Sequence, residues 1–117
     1  MRKNYFKRSE EWCPCCRSGG LVPDFRDKLN KAREIAGVPF VLNSAFRCSA
    51  HNAEVGGSET SSHLAGLAVD IKCSDSRTRW IVIDALKQAG FNRIGVGKTF
   101  IHVDDDLTKP QGVVWLY

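Results

Sequence analysis

His63 and Asp70 stand seven residues apart in the stretch Ser61-Ser62-His63-Leu64-Ala65-Gly66-Leu67-Ala68-Val69-Asp70. Imidazole and carboxylate are ligands for zinc and other first-row metals. Two ligands on one helix sit about three or four residues apart. The wider spacing, with Gly66 between, suggests a loop ligand followed by a strand ligand. Leu67, Val69, Ile71 and Cys73 alternate with Ala68, Asp70 and Lys72, so the first set faces a core and Asp70 points the other way. Taken alone, the stretch also reads as a surface histidine in a serine-rich loop beside an ordinary strand aspartate.

A second informative segment is Thr99-Phe100-Ile101-His102-Val103-Asp104. A strand period of two puts Phe100, His102 and Asp104 on one face, and Ile101 and Val103 on the other. Two histidines and one carboxylate, with a fourth position left to water, is the composition of a catalytic zinc site. Such a metal lowers the pKa of its water to about 7 and polarises a carbonyl, which permits amide hydrolysis at neutral pH. His63, Asp70 and His102 are therefore the candidate metal ligands. A core histidine is the plainer reading of His102. Its apolar neighbours of opposite parity, and a carboxylate two residues on, weigh against that reading.

The elements that must position these groups can be read from punctuation and periodicity. Residues 1–20 read as an irregular N-terminal arm carrying a cysteine cluster, and 21–117 as the domain proper, one domain overall. Residues 23–36 read as a helix opened by Pro23 and stopped by Gly37, with Phe25, Leu29, Ala32 and Ala36 on one apolar stripe. Residues 40–47 read as a strand that delivers Arg47 at its end. Ser49 is the expected cap of a short helix over 50–55, ended by Gly56-Gly57. Ser74 or Asp75 caps a further helix running to Ala89, whose wide apolar face, Trp80 included, predicts burial. Residues 91–97 read as a short strand whose glycines let something approach closely. Residues 113–117 read as a closing strand.

A chain of 117 residues with 43% hydrophobic and 26% charged residues is long enough for its own core and ordinary for a globular domain. No apolar run has the length of a membrane span. The basic start, Met1 to Arg8, has no apolar stretch behind it and does not read as a secretory signal. Synthesis in the cytoplasm without a signal peptide is the expectation. The net charge of +4 would favour an anionic polymer, nucleic acid or an acidic cell wall, without choosing between them. No basic-aromatic reading surface is recognisable, so nucleic acid is not an expected partner. The cysteines are odd in number, at 13, 15, 16, 48 and 73, so a disulfide framework cannot use them all. Cys13-Pro14-Cys15-Cys16 completed by Cys48 or Cys73 could hold a structural zinc. Reduced thiols, several of them buried, are the alternative.

Ser61-x-His63-x-x-Gly66-x-Ala68-x-Asp70, followed by Phe100-Ile101-His102-Val103-Asp104, resembles the zinc D-alanyl-D-alanine carboxypeptidases. That family shares a fold with the hedgehog signalling domain and the vancomycin-resistance D,D-dipeptidases, and includes phage endolysins. Asn43-Ser44-Ala45-Phe46-Arg47-Cys48 resembles its segment ending in a substrate-binding arginine. His51-Asn52-Ala53-Glu54-Val55-Gly56-Gly57 resembles its small single-domain branch. The resemblance covers roughly residues 5–106 in order. It implies a small α+β fold, an antiparallel sheet with helices on one face and the metal on the other. It implies that His63, Asp70 and His102 bind Zn2+, that Arg47 grips the carboxylate of a D-Ala-D-Ala terminus, and that Ser61 bonds the substrate or orients the site. A guanidinium fork suits that carboxylate, because it binds bidentately.

One departure matters. Many relatives carry a Glu three residues before the last zinc histidine, or a His two before it, to assist the water. Here those positions are Thr99 and Phe100. Asp104 is the available substitute, either as the catalytic base or as a carboxylate orienting a ligand. His51 is a weaker candidate, better read as a surface helix residue. The expected activity is zinc-dependent hydrolysis of D-Ala-containing peptide bonds of peptidoglycan, as a D,D-carboxypeptidase or an endolysin-type endopeptidase, by a monomer. Its place of action would be the cell wall after release, as in phage lysis, or wall peptides in the cytoplasm. The alternative is a zinc-containing wall-binding or structural domain that has lost turnover, as hedgehog relatives have on this fold.

Overall fold

The computed structural model describes residues 3–117; Met1 and Arg2 of the basic N-terminal run lie outside the described residues. The chain runs α1 (Arg8–Glu11), α2 (Pro23–Ala36), β1 (Leu42–Ser44), α3 (Ser49–Glu54), a 3-10 turn (Ser62–Ala65), β2 (Ala68–Lys72), α4 (Ser76–Gln88), β3 (Arg93–Val96), β4 (Phe100–Asp104) and β5 (Val113–Leu116). Pro23 opens α2, and Gly37 ends it with a left-handed φ of 69°. Asp75 caps α4 by accepting the Thr78 amide at 2.8 Å. Both helices lie where the sequence puts them. The N-terminal segment is less irregular than expected, because α1 interrupts it.

The five strands form one sheet in the order β1-β2-β4-β3-β5. The first three pairings are antiparallel, as expected, and β3 with β5 is parallel, so the α+β sheet is mixed. The reason is connectivity. Chain returning from β4 runs opposite to it, and β3 also runs opposite to β4, so a strand laid on the free edge of β3 is parallel to that strand.

The helices α2 and α4 pack against each other and against one face of this sheet. Phe25 and Leu29 from α2, Leu86 from α4, and Ile71, Ile101 and Val103 from the central strands are buried together. Each such side chain contributes roughly 1.5–3 kcal/mol by leaving water. Three expectations for these elements need correction. Trp80 is 73% exposed, because the apolar residues of α4 cover too wide an arc for one contact face, and Trp80 falls opposite Leu86 and Ala89. The strand expected over 40–47 is formed only at Leu42–Ser44. Beyond it, the backbone groups of Ala45 and Arg47 bond to the turn at His63 instead of a neighbouring strand. Cys48, one residue earlier than expected, caps α3.

Candidate metal centre

One rung of the sheet carries the centre. Register places Ser44 opposite Asp70, Asp70 opposite His102, His102 opposite Gly95, and Gly95 opposite Trp115. Strand parity turns Val69, Ile71, Ile101 and Val103 into the core, and Asp70, His102 and Asp104 to the opposite face. This is the division the sequence predicts. Gly95 is where close approach is needed: a Cβ there would lie 2.6 Å from the Tyr117 ring and 2.7 Å from the Trp115 indole. The bare glycine lets Trp115 lean to 5.5 Å, centroid to centroid, from the His102 ring.

The 3-10 turn brings His63 to the same place. Its Nδ1 donates to the Ala45 carbonyl at 2.7 Å, which fixes the tautomer and leaves Nε2 for a ligand bond. Gly66 makes the turn possible. It takes a left-handed φ of 70°, and a Cβ on it would lie 2.5 Å from the Gly20 carbonyl oxygen. Its own carbonyl accepts the Val22 amide at 2.9 Å. Left-handed backbone costs an ordinary residue about 1–2 kcal/mol, and here a backbone clash is added. Gly66→Ala is therefore expected to lower stability by about 2 kcal/mol or more, measured by urea denaturation; an unchanged midpoint would show that this approach is not constrained.

His63 Nε2 lies 3.5 Å from Asp70 Oδ1, and His102 Nδ1 lies 2.9 Å from that same oxygen. One ligand atom from each of the three residues falls within 4.8 Å of the others. Zinc with Zn–N and Zn–O bonds of about 2.0–2.1 Å sets tetrahedral edges of about 3.3 Å. The donor types and spacings therefore fit zinc. Burial alone would push the Asp70 carboxyl up, but hydrogen bonds from His102 and His63 outweigh it and hold the group well below the usual carboxylate range. Asp70 is a carboxylate at neutral pH. Burial would likewise lower the His102 pKa, and its bonds to Asp104 and Asp70 outweigh that and raise it.

Asp104 stands behind His102. Its Oδ2 accepts from His102 Nε2 at 2.7 Å, leaving Nδ1 as the histidine's ligand atom. Its Oδ1 accepts from Arg93 Nε at 2.6 Å and from the Asp106 amide at 3.2 Å. The carboxylate is 1% exposed. Burial raises its pKa, the bonds from His102 and Arg93 together outweigh that, and the net direction is down. Arg93 in turn donates Nη1 to the Pro110 carbonyl. No sequence motif singles out Arg93, though the period of β3 places it with Gly95 opposite the core residue Ile94. An arginine at a central strand position is a signal to seek a carboxylate partner.

A cleft of about 310 Å³ opens over this floor. Arg47, Ser61, Trp115 and Tyr117 are among its walls. The Arg47 amide donates to the His63 carbonyl at 3.1 Å, and its side chain donates through Nε to Ser44 Oγ and through Nη1 to Asn52 Oδ1. Among the described residues no acceptor engages Nη2. The sequence names Asn52 only within a family-like segment and gives it no role; it is a buried helix residue that also donates to the Ser58 carbonyl at 2.8 Å and so fixes the guanidinium. Ser61 Oγ accepts the His63 amide at 3.3 Å. Ser62 Oγ donates to Asp106 Oδ2 at 2.8 Å and accepts from Lys109 Nζ at 2.9 Å, tying the turn to the loop after β4. His51 is not part of the cleft; its amide bonds Cys48 Sγ.

Helices behind one face of a mixed sheet, with nitrogen and oxygen donors converging on the other, are the arrangement of a small α+β metallopeptidase. A family model described as Peptidase M15 matches residues 4–104, and the chain belongs to that family of zinc-dependent, D-Ala-D-Ala carboxypeptidase-like enzymes. Among curated proteins none matches the chain significantly. No helix among the described residues is long and apolar enough to cross a membrane.

Proposed function

We propose that the protein is a zinc peptidase that hydrolyses D-Ala-containing peptide bonds of peptidoglycan. The observation that carries the proposal is the convergence of His63 Nε2, Asp70 Oδ1 and His102 Nδ1 on the floor of a cleft whose wall holds Arg47. When bound by these three side chains, zinc supplies a Lewis acid that makes water nucleophilic at neutral pH and polarises a peptide carbonyl. Arg47 binds the terminal carboxylate of the substrate through its free guanidinium edge, held in place by Asn52 and Ser44. Ser61 offers its hydroxyl proton to the substrate while it accepts the His63 amide. Trp115 and Tyr117 cover one side of the cleft and exclude water there. Asp104 orients His102 and keeps its Nδ1 turned to the metal. With both of its oxygens already accepting, it acts as a positioning residue, and that is the better supported of its two readings. The substrate is met in the cell wall after release of the protein, or as a wall peptide in the cytoplasm.

Kinetics on a free and a C-terminally amidated D-Ala-D-Ala peptide test the role of Arg47. Losing a charge-assisted bond of about 1.5–3 kcal/mol raises KM roughly 10- to 100-fold. That rise is expected for Arg47→Lys on the free peptide, and for wild type on the amidated peptide. The two changes together should add little beyond either. Equal KM for free and amidated peptide would remove Arg47 as the carboxylate site and point to cleavage within cross-links. A zinc-loaded protein that turns over neither would favour the wall-binding domain.

A further inference from the structure

Four of the five cysteines meet outside the His63–Asp70–His102 centre. Cys13, Cys15 and Cys16 lie in the turn after α1, and Cys48 directly follows Arg47. The Sγ atoms of Cys13 and Cys15 are 3.4 Å apart, those of Cys13 and Cys48 3.6 Å, and those of Cys15 and Cys48 3.2 Å. Cys16 completes a set of four sulfurs all within 4.8 Å of one another. A disulfide needs a separation of about 2.05 Å, and none of these pairs approaches it. Tetrahedral zinc with Zn–S bonds of about 2.3 Å sets sulfur-to-sulfur edges of about 3.8 Å, close to the spacings found. Hydrogen bonds between thiols are weak and contribute little to holding four sulfurs together.

We propose that Cys13, Cys15, Cys16 and Cys48 form a second, structural zinc site that fastens the N-terminal segment to the Arg47 loop. All four positions are thiolate, so the site is closed to water and substrate, unlike the His63–Asp70–His102 centre. Each thiol gives up its proton as the metal binds. The local backbone already suits the role. The Cys13 amide donates to the Ser18 carbonyl at 2.9 Å and the Arg17 amide to the Cys13 carbonyl at 2.7 Å, folding the three-cysteine turn back on itself. The His51 amide donates to Cys48 Sγ at 3.4 Å, partly neutralising a thiolate there. The two segments are also joined outside the cluster, where the Phe46 amide donates to the Glu11 carbonyl at 3.1 Å and the Phe46 ring lies against Gly19. Metal at this point would cross-link a chain segment that otherwise holds Arg47 through few bonds. Cys73 is buried elsewhere in the core and takes no part.

Metal analysis of the protein purified with zinc and reductant tests this. About two zinc ions per chain are expected in wild type, and about one in Cys15→Ser/Cys16→Ser. His63→Ala should also hold about one, with its cluster thiols still slow toward a thiol reagent until a chelator is added. Cobalt exchanged into the wild-type protein gives a readout that does not depend on any variant folding. An intense sulfur-to-cobalt charge-transfer band is expected, and it should persist in His63→Ala. Wild type with about one zinc, and with the thiols of Cys13, Cys15, Cys16 and Cys48 freely reactive, would overturn the proposal. So would a mass two hydrogens below that of the reduced chain, which would mean a disulfide in the cluster.

Discussion

Asp70→Asn and His63→Ala are each expected to lose about one zinc ion per chain and to reduce peptide hydrolysis by at least about a thousandfold, which is some 4 kcal/mol of transition-state stabilisation. The two variants differ in a useful way. His63 is buried and its Nδ1 satisfies the Ala45 carbonyl, so His63→Ala also strands a buried acceptor. Asp70→Asn keeps the shape of the side chain and removes the charge that the two imidazoles face across 2.9 and 3.5 Å. If the loss were only unfolding, it would be large in His63→Ala and small in Asp70→Asn. A shared loss of metal and activity, with an unchanged circular dichroism spectrum for Asp70→Asn, assigns it to coordination. Unchanged zinc and an unchanged rate in Asp70→Asn would remove the carboxylate from the ligand set.

Arg93→Met should destabilise the protein by about 3–5 kcal/mol, because it leaves the Asp104 carboxylate buried with its permanently charged partner gone. For a chain of this length that is a fall of roughly 10 °C or more in melting temperature. Asp104 would then relieve itself by taking up a proton, and His102 Nε2 would face a weaker acceptor. Zinc affinity at this centre should drop about 10- to 100-fold, the usual effect of losing a partner behind a ligating histidine. The double variant Arg93→Met/Asp104→Leu separates the two roles. Replacing a buried ion pair by apolar groups is often neutral for folding, so much of the stability should return. The zinc affinity should not, because His102 still lacks its carboxylate. Recovery of both would mean that Asp104 does nothing for the metal. An intact affinity in Arg93→Met would mean that Arg93 serves only the fold.

The trio of donors is legible in the amino-acid sequence because two independent periodicities converge on it. Alternation around Asp70 and around His102 fixes which face each occupies, and the burial of Val69, Ile71, Ile101 and Val103 follows from the same parity. The helices at 23–36 and 76–88 are legible from their caps, since Pro23, Gly37 and Asp75 act locally. What escapes the sequence is set by contacts between elements. The strand before Arg47 is cut short by bonds to the His63 turn, and its partner lies 18 residues away. Arg93 meets Asp104 only because β3 pairs with β4, and Asn52 meets Arg47 only because α3 folds back on the loop before it. The parallel pairing of β5 depends on which sheet edge is free, which no local pattern encodes. The cysteines show the same limit. Spacing alone leaves Cys48 and Cys73 as equal candidates to complete a cluster, and only the fold puts Cys48 beside Cys13 and Cys73 in the core.

The most direct measurement is the release of D-alanine from a purified muropeptide ending in D-Ala-D-Ala, with zinc-loaded wild type and Asp70→Asn run side by side and the products weighed by mass spectrometry. Wild type should release D-alanine in proportion to time and enzyme, stop when a chelator strips the His63–Asp70–His102 centre, and resume when zinc is restored, while Asp70→Asn releases none. Wild type with zinc bound that neither releases D-alanine nor opens a cross-link, across several peptidoglycan types, would contradict a peptidase acting on D-Ala bonds.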